Sequence, residues 1–294
     1  MSENLDGLLV IDKPGGITSR AAVDRAQGWF PRGTRIGHTG TLDPLATGVL
    51  VLCIGMATRL TEYVQRMPKL YRAGILLGAV SATDDADGTI TSTPDAVAPP
   101  RETIEQQLSA FVGKIAQVPP GYSAAKVKGR RAYQLARKGQ EVSLEPRLVT
   151  IDRIEILNYA YPRLDILVRC GKGTYIRSLA RDLGKQLGCG GYIASLRRLE
   201  IGAFTEKDAL PLQAAAAEAR QRLIPCLAAL KDLTPITLSN EDANRLLHGQ
   251  RIAAPTCPAE SSGELTVLDV AGRLLAIAKI VDGLLIPTKV LATS

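Results

Sequence analysis

The chain has 294 residues, of which 22% are charged and 46% hydrophobic, enough for one large or two ordinary folded domains. Its 36 basic and 29 acidic side chains give a formal charge of +7 and a pI of about 9.2, which favours a polyanionic partner. Five cysteines without a Cys-x-x-Cys pair argue against a zinc site or disulfide framework and predict a reducing cytoplasm. The sequence also predicts neither a signal peptide nor a segment that crosses a bilayer.

The N-terminal part predicts a strand, a turn and a helix in that order. Residues 7–11 are apolar and are followed by DKPGGITS, a Pro-Gly-Gly turn in which Thr18 or Ser19 can cap a helix. Residues 19–30 have helical periodicity.

The stretch GHTGTLDPLATGVL, residues 37–50, holds a single carboxylate, Asp43, directly before Pro44. A residue before proline is pushed towards an extended or turn backbone, and proline removes one nearby donor for the carboxylate. The apolar run VLVLCI follows and predicts a buried strand. The pattern fits a rigid loop that holds an acid at the rim of a sheet, but it also fits an ordinary turn.

The middle of the chain predicts alternating helices and strands. Residues 56–66 favour a helix, and residues 71–77 alternate as a strand does. The acidic turn with Asp84, Asp85 and Asp87 lacks the closing glutamate of a calcium loop, so it is interpreted as a loop. After a Pro/Ala linker at residues 94–100, residues 102–111 predict a further helix.

The most basic stretch spans residues 118–142, with Tyr122 and Tyr133 among its cations. The spacing of Arg131, Gln134 and Lys138 predicts a helix there. A solvated helix face is the simple interpretation, and an RNA contact is the favoured one. Its cations are Lys126, Lys128, Arg130, Arg131, Arg137 and Lys138.

Residues 147–158 and 164–170 predict a strand pair that runs into GKGTYIRSLARDLG. A phosphate-loop interpretation of Lys172 fails because the required glycine spacing is missing. Residues 178–187 predict a helix. From about residue 230, short strand-like pieces indicate a small β-rich module.

Several of these motifs resemble those of the TruB-type tRNA pseudouridine synthases. They are DKPGGITS, GHTGTLDPLATGVL, KLYRA, KGTYIRSLARDLG and LRRLEIGAF, and the resemblance is strong from about residue 7 to 204 and fades after that. The resemblance implies an α+β fold with a mixed, largely antiparallel sheet flanked by helices. It further implies a catalytic domain at residues 1–230 with a thumb-like RNA-binding insert at about 120–150, and a PUA-like RNA-binding module at 231–294.

The resemblance also assigns roles to individual residues. Asp43 matches the family's nucleophile, and Arg177 matches the arginine that pairs with it. Tyr71 matches the tyrosine that stacks on the target base, and Leu196 matches an apolar contact to the bound nucleotide. Tyr175 matches the tyrosine that packs against the base, and it is a candidate acceptor for the C5 proton, although an unperturbed tyrosine is a weak base.

Two further residues are candidates for binding the substrate. His38 stands where it could fill the gap left by a flipped base, or it is an ordinary loop histidine bonded to backbone. Lys13, in the family's first motif, is expected close under the loop of Asp43. Whether Asp43 attacks C1′ of the ribose or C6 of the base stays open.

The implied reaction converts the T-loop uridine, position 55 of transfer RNA, to pseudouridine by base flipping, without cofactor or metal. The expected partner is the T-arm, with no membrane and no required protein partner, for a cytoplasmic monomer. Two alternatives stay open: a tRNA-folding chaperone without chemistry, and a guide-RNA-dependent synthase of the same superfamily. Substitution of Asp43 separates the first from an enzyme, and activity without guide RNA separates the second.

Overall fold

The computed structural model describes residues 5–123, 126–127, 130–131, 144–254 and 263–291. Its helices are α1 (Ser19–Ala26), α2 (Thr61–Arg66), α3 (Arg101–Ser109), α4 (Ile176–Gln186), α5 (Ala216–Gln221) and α6 (Asn240–Leu247). Its strands are β1 (Gly7–Lys13), β2 (Ile36–His38), β3 (Thr47–Ile54), β4 (Lys69–Leu77), β5 (Ala79–Ser81), β6 (Ile90–Ser92), β7 (Gly113–Gln117), β8 (Lys126–Val127), β9 (Arg130–Arg131), β10 (Arg147–Ala160), β11 (Arg163–Cys170), β12 (Gly191–Ile201), β13 (Phe204–Thr205), β14 (Leu210–Pro211), β15 (Thr234–Thr237), β16 (Ile252–Ala253), β17 (Glu264–Leu268), β18 (Leu274–Val281) and β19 (Leu284–Val290).

A ten-stranded sheet organises most of the chain, with the strand order β14-β1-β3-β12-β4-β11-β10-β7 and with β2 and β13 beside β3 and β12. Its neighbours are antiparallel except β1 with β14 and β3 with β12, so the sheet is mixed and largely antiparallel, as predicted. The central strand β3 is a nearly continuous apolar and buried segment, as expected of a strand covered on both faces.

Alternation along the strands builds one core on each face of this sheet. On one face, residues such as Leu9, Leu50 and Ile75 pack against α1, α3 and α4. On the other face, Leu8 and Val49 pack against α2, the 3₁₀ segments Gly55–Leu60 and Cys226–Leu230, and the C-terminal strands. The helices therefore flank both faces, in agreement with the predicted α+β class.

Two strands approach unusually closely where β3 begins. Gly48 lies opposite Arg198 of β12 and has a φ of 101°. A Cβ at Gly48 would lie 2.2 Å from the carbonyl oxygen of Arg198, a distance that no side chain tolerates. Glycine is thus required here both for its backbone conformation and for the contact between the strands.

The predicted elements are confirmed with shifted ends. The strand at 7–11 extends to Lys13, and the helix predicted at 19–30 ends at Ala26 and continues as a short 3₁₀ segment. The helix predicted at 56–66 is regular only from Thr61, and the one predicted at 178–187 begins two residues earlier, at Ile176.

The basic insert is described only in part. Arg130 and Arg131 form β9, which pairs with β8, so the helix predicted from their spacing does not include them. Residues 132–143, with the remainder of that predicted helix, lie outside the described residues. The main sheet resumes at Arg147.

The C-terminal part forms a second sheet with the order β15-β17-β18-β19-β16, next to α6. It has a core of its own, which includes Leu246, Val267 and Leu285. This is the small β-rich module that the sequence predicts. Over the described ranges, no helix combines the length and the apolar character needed to span a membrane.

Candidate active site

A cavity of about 470 Å³ opens above the centre of the main sheet, on the face covered by α4. Asp43, Tyr71, Tyr175, Arg177 and Leu196 all line it. These residues come from the loop before β3, from β4, from the start of α4 and from β12, so four distant segments converge here. Its remaining walls are Thr39, Gly40, Thr41, Leu42, Gln65, Lys69, Ser123, Gly171, Lys172, Gly173, Thr174, Ile176 and Arg198.

The loop that carries Asp43 is fixed by hydrogen bonds on both sides of it. The Ser19 hydroxyl contacts the Leu42 amide at 2.7 Å and the Leu42 carbonyl at 3.0 Å. On the other side the Pro44 carbonyl accepts from the amide of Gly16 at 2.9 Å. The turn of the DKPGGITS motif and the start of α1 thus hold the loop, and the carboxylate projects from a rigid backbone.

Arg177 is the cation of the site and is almost completely buried. Its Nη2 donates to Oδ1 of Asp43 at 3.2 Å, and its Nε lies 2.9 Å from Oδ2, close enough for an ion pair but without hydrogen-bond geometry. It also donates to the carbonyls of Thr83 and Tyr122, at 2.8 and 2.9 Å. The guanidinium is therefore held from several directions and in turn orients the carboxylate of Asp43.

A second carboxylate shares this guanidinium. Nη1 of Arg177 lies 3.2 Å from Oδ2 of Asp85, whose side chain is only 5% exposed. Asp85 also accepts from the Thr83 hydroxyl and from the Asp87 amide. The acidic turn is a loop, as predicted, but its sequence did not indicate that Asp85 lies beside the arginine that pairs with the candidate nucleophile.

The environment of Asp43 makes its ionisation less favourable than in water. Desolvation by burial raises the pKa of Asp43, the positive charge of Arg177 lowers it, and the negative charge of Asp85 raises it. The net direction is upward, even though a third of the side chain still faces the cavity. A carboxylate that is ionised in such surroundings is poorly solvated, a state that suits a nucleophile.

Tyr71 and Leu196 form the apolar wall of the cavity, and both are about nine-tenths buried. The hydroxyl of Tyr71 lies 3.4 Å from Nη1 of Arg198, whose guanidinium carbon is 5.9 Å from the centre of the ring. Burial raises the pKa of the Tyr71 phenol. The phenol is therefore neutral at physiological pH, and the residue can offer a ring face to a base.

Arg198 is a buried cation that sequence reasoning did not identify. It donates to the carbonyls of Val49 and Gly40, at 2.7 and 3.1 Å, and so joins β3 to the loop of Asp43. Period-two alternation along β12 places Arg198 on the same face as Leu196, a signal already present in the sequence LRRLEIGAF.

Tyr175 is half-buried, lines the cavity, and stands directly before α4. Its amide donates to Oε1 of Gln117 at 2.8 Å, and its carbonyl accepts from Nε2 of the same side chain at 3.1 Å. The structure thus brings Asp43, Arg177, Tyr71, Tyr175 and Leu196 to one cavity.

The two remaining candidates do not line it. Lys13 is fully buried, and its ammonium group contacts the carbonyls of Pro14, Ile17 and Pro44 at 2.8, 2.7 and 3.4 Å. Burial lowers the pKa of Lys13 to about 8, while Asp43 opposes this change. Lys13 therefore lies under the loop as expected, but it is positioned to brace that loop and not to touch a ligand in the cavity. His38 is half-buried in β2, opposite Leu52 of β3.

Comparison with protein families connects this geometry to a known class. Residues 30–176 match the model of the TruB family pseudouridylate synthase, N-terminal domain. Residues 177–230 match the tRNA pseudouridylate synthase B C-terminal domain, and residues 234–291 match pseudouridine synthase II TruB, C-terminal. The fold is thus that of a pseudouridylate synthase, an enzyme. Within that class the chain belongs to the TruB family, which confirms the resemblance seen in the motifs.

Individual relatives agree along nearly the whole chain. It is 40% identical to tRNA pseudouridine synthase B of Burkholderia mallei (strain NCTC 10247), with 98% of both chains covered. It is also 40% identical to tRNA pseudouridine synthase B of Pseudomonas aeruginosa (strain UCBPP-PA14), over 95% of this chain and 93% of that one.

Solved structures share the fold at lower identity. A structure of an H/ACA RNP bound to a substrate RNA containing 2′-deoxyuridine matches with a TM-score of 0.74 and 22% identity, over 98% of this chain and 86% of that chain. A Cbf5-Nop10-Gar1 complex matches with a TM-score of 0.75 and 23% identity, over 97% and 85%. These neighbours confirm the pseudouridine-synthase-like fold that the motifs predict.

Proposed function

We propose that this protein is a tRNA pseudouridine synthase that isomerises the T-loop uridine at position 55, with Asp43 as the nucleophile. The observation that carries the proposal is the pairing of Asp43 with the buried Arg177 at the floor of a cavity walled by Tyr71 and Leu196. The curated relatives, which match in length and bear the name tRNA pseudouridine synthase B, support transfer RNA as the substrate.

The reaction breaks the N1–C1′ bond of uridine and forms a bond between C5 and C1′. C5 loses its proton, N1 gains one, and the product is an isomer, so no oxidant or reductant is consumed. Asp43 forms a transient bond either to C1′ of the ribose or to C6 of the base, and this bond breaks again before the product leaves, so that the carboxylate is regenerated. Arg177 favours the ionised form of the carboxylate and orients it.

Removal of the C5 proton needs a base close to C5 of the target uracil. Tyr175 lines the cavity from the start of α4 and is the candidate acceptor, either directly or through a water. Tyr71 and Leu196 give the ring its apolar contacts and exclude bulk water from it.

A uridine inside a folded RNA loop cannot reach Asp43 without leaving its stack, so the reaction requires base flipping. A stacking contact with an aromatic side chain is worth roughly 1–3 kcal/mol and helps to offset the cost of unstacking. The net positive charge of the chain supports phosphate contacts along the T-arm.

The experiment is hydrogen release from a T-arm RNA that carries tritium at C5 of its uridines. Purified protein, Asp43→Ala and Asp43→Asn are incubated with it, without guide RNA. Asp24→Asn, which removes a carboxylate from an exposed ion pair on α1, is the matched control. Release by the wild type and by Asp24→Asn, with none from either Asp43 variant, is the expected result.

The other outcomes distinguish the alternatives. RNA binding without release by the wild type would favour a chaperone or a guide-dependent enzyme. Equal release by the wild type and by Asp43→Asn would exclude Asp43 as the nucleophile. Sequencing of the product locates the isomerised uridine and tests the assignment to position 55.

A further inference from the structure

The side chain of Gln117 forms two hydrogen bonds with the backbone of one residue that is distant in sequence, Tyr175. Its Oε1 accepts from the amide of Tyr175 at 2.8 Å, and its Nε2 donates to the carbonyl of Tyr175 at 3.1 Å, across 58 positions of sequence. Gln117 is only 3% exposed, so both bonds are shielded from water. A primary amide is the side chain that offers one acceptor and one donor side by side, as a neighbouring strand would.

Gln117 is itself held by the main sheet. It is the last residue of β7, and it is paired with Arg147 at the start of β10. The chain that leads into Tyr175, residues 171–174, is a loop with two glycines, one of them at a φ of 90°. The Gly171 amide and the Thr174 hydroxyl attach this loop to the carbonyl of Thr150, at 2.8 and 3.4 Å, but neither bond reaches Tyr175 itself. The side-chain amide of Gln117 therefore attaches the start of α4 to the edge of the main sheet.

The segment that follows Gln117 is attached to the same helix. The carbonyl of Val118 accepts from the hydroxyl of Ser178 and from Nη2 of Arg181, both at 2.8 Å. The carbonyl of Tyr122 accepts from Arg177. The segment that enters the basic insert, residues 118–122, thus lies against the first turns of α4, and Gln117 just before it contacts Tyr175.

We propose that Gln117 is a positioning residue, which sets the placement of Tyr175 over the target uracil. The inference rests on the proposed function, because it assigns Tyr175 to the proton transfer from C5. A displacement of about 1 Å in a reacting group can cost about a hundredfold in rate. Loss of the amide contacts should therefore slow the chemical step and leave RNA binding intact.

The test compares single-turnover rates on the T-arm RNA, at saturating protein, for three variants. Gln117→Met keeps the length of the side chain and removes both bonds. Gln117→Glu keeps an acceptor for the Tyr175 amide and loses the donor. Ser178→Ala is the matched control, because it removes a contact between the same segment and α4 without touching Tyr175.

We expect Gln117→Met to slow conversion by about tenfold to a hundredfold. Gln117→Glu should be intermediate, and Ser178→Ala should be close to the wild type. RNA affinity should be unchanged throughout. The isotope effect from deuterium at C5 should increase in Gln117→Met, because removal of that proton becomes slower relative to the other steps.

Three results would overturn the proposal. They are an unchanged rate per folded molecule in Gln117→Met, an equal loss of rate in Ser178→Ala, and failure of both Gln117 variants to fold, which would make Gln117 a residue of the fold alone. An inactive wild type would instead refute the proposed function, so the two failures are distinguishable.

Discussion

Replacement of Arg177 by glutamine removes the buried cation that opposes the desolvation of Asp43. Contacts of 2.9 and 3.2 Å join the two groups. Unit charges about 4 Å apart attract each other by about 4 kcal/mol at an effective dielectric constant of 20. Loss of this attraction in Arg177→Gln should raise the pKa of Asp43 further.

The assay is the single-turnover rate as a function of pH. The reaction requires ionised Asp43, so the acidic limb of the profile follows the pKa of this group. In Arg177→Gln the limb should move to higher pH, with a low rate at neutral pH that recovers as the pH rises. Arg177→Lys keeps the charge, so its limb should stay near that of the wild type. Its maximal rate should fall, since one ammonium group cannot replace the planar guanidinium.

Stability requires its own control, because Arg177→Gln leaves Asp85 buried without its cation. Breaking a buried pair in this way costs about 3–5 kcal/mol. The double variant Arg177→Gln/Asp85→Asn removes the stranded charge and should regain much of the lost stability in urea unfolding. Its acidic limb should lie at lower pH than that of the single variant, because the repulsion between Asp85 and Asp43 is gone. An acidic limb in Arg177→Gln that coincides with the wild type would refute this reasoning.

Three further results are expected. Asp43→Asn should increase the stability in urea at pH 7 but not at a pH below about 3.8. Burial raises the pKa of Asp43 in the folded state, so its ionised form lowers the stability only at a pH above the pKa of the unfolded chain. Equal stabilisation at both pH values would contradict this. Gly48→Ala should destabilise the fold well beyond Gly272→Ala, which shares the positive φ but meets open space; equal losses would argue against the close strand contact. Tyr71→Ala should weaken RNA binding by about 1–3 kcal/mol, whereas Tyr71→Phe keeps the ring and should bind like the wild type; a loss in both variants would assign the effect to the hydroxyl.

Local sequence pattern accounts for the elements but not for all of the site. The strands β1, β3 and β4 follow from apolar alternation and continuous apolar runs, which depend on near neighbours. The motif around Asp43 indicated the central loop. Ser19 fixes that loop through Leu42, which lies 23 positions later in the chain. This contact depends on how α1 packs in the folded protein, so no local pattern indicates it.

Asp85 shows most clearly what sequence reasoning lacked. Three acids in a turn predict exposure, because burial of a charge is costly unless a partner compensates it. That partner, Arg177, lies 92 positions away and reaches Asp85 only because α4 packs above the acidic turn. Gln117 is a similar case, since nothing at the end of β7 indicates a contact with Tyr175. Both depend on the packing of α4, which no local pattern encodes.

The C-terminal sheet does not stand apart from the rest of the molecule. Ile277 of β18 and Leu291 after β19 are buried in the same core as Leu8 and Val10 of β1. Lys289 reaches the side chain of Glu62. The two parts should therefore unfold as one cooperative unit, with a single calorimetric transition on heating. Removal of residues 231–294 would expose apolar surface beneath the first strand and leave a fragment prone to aggregation.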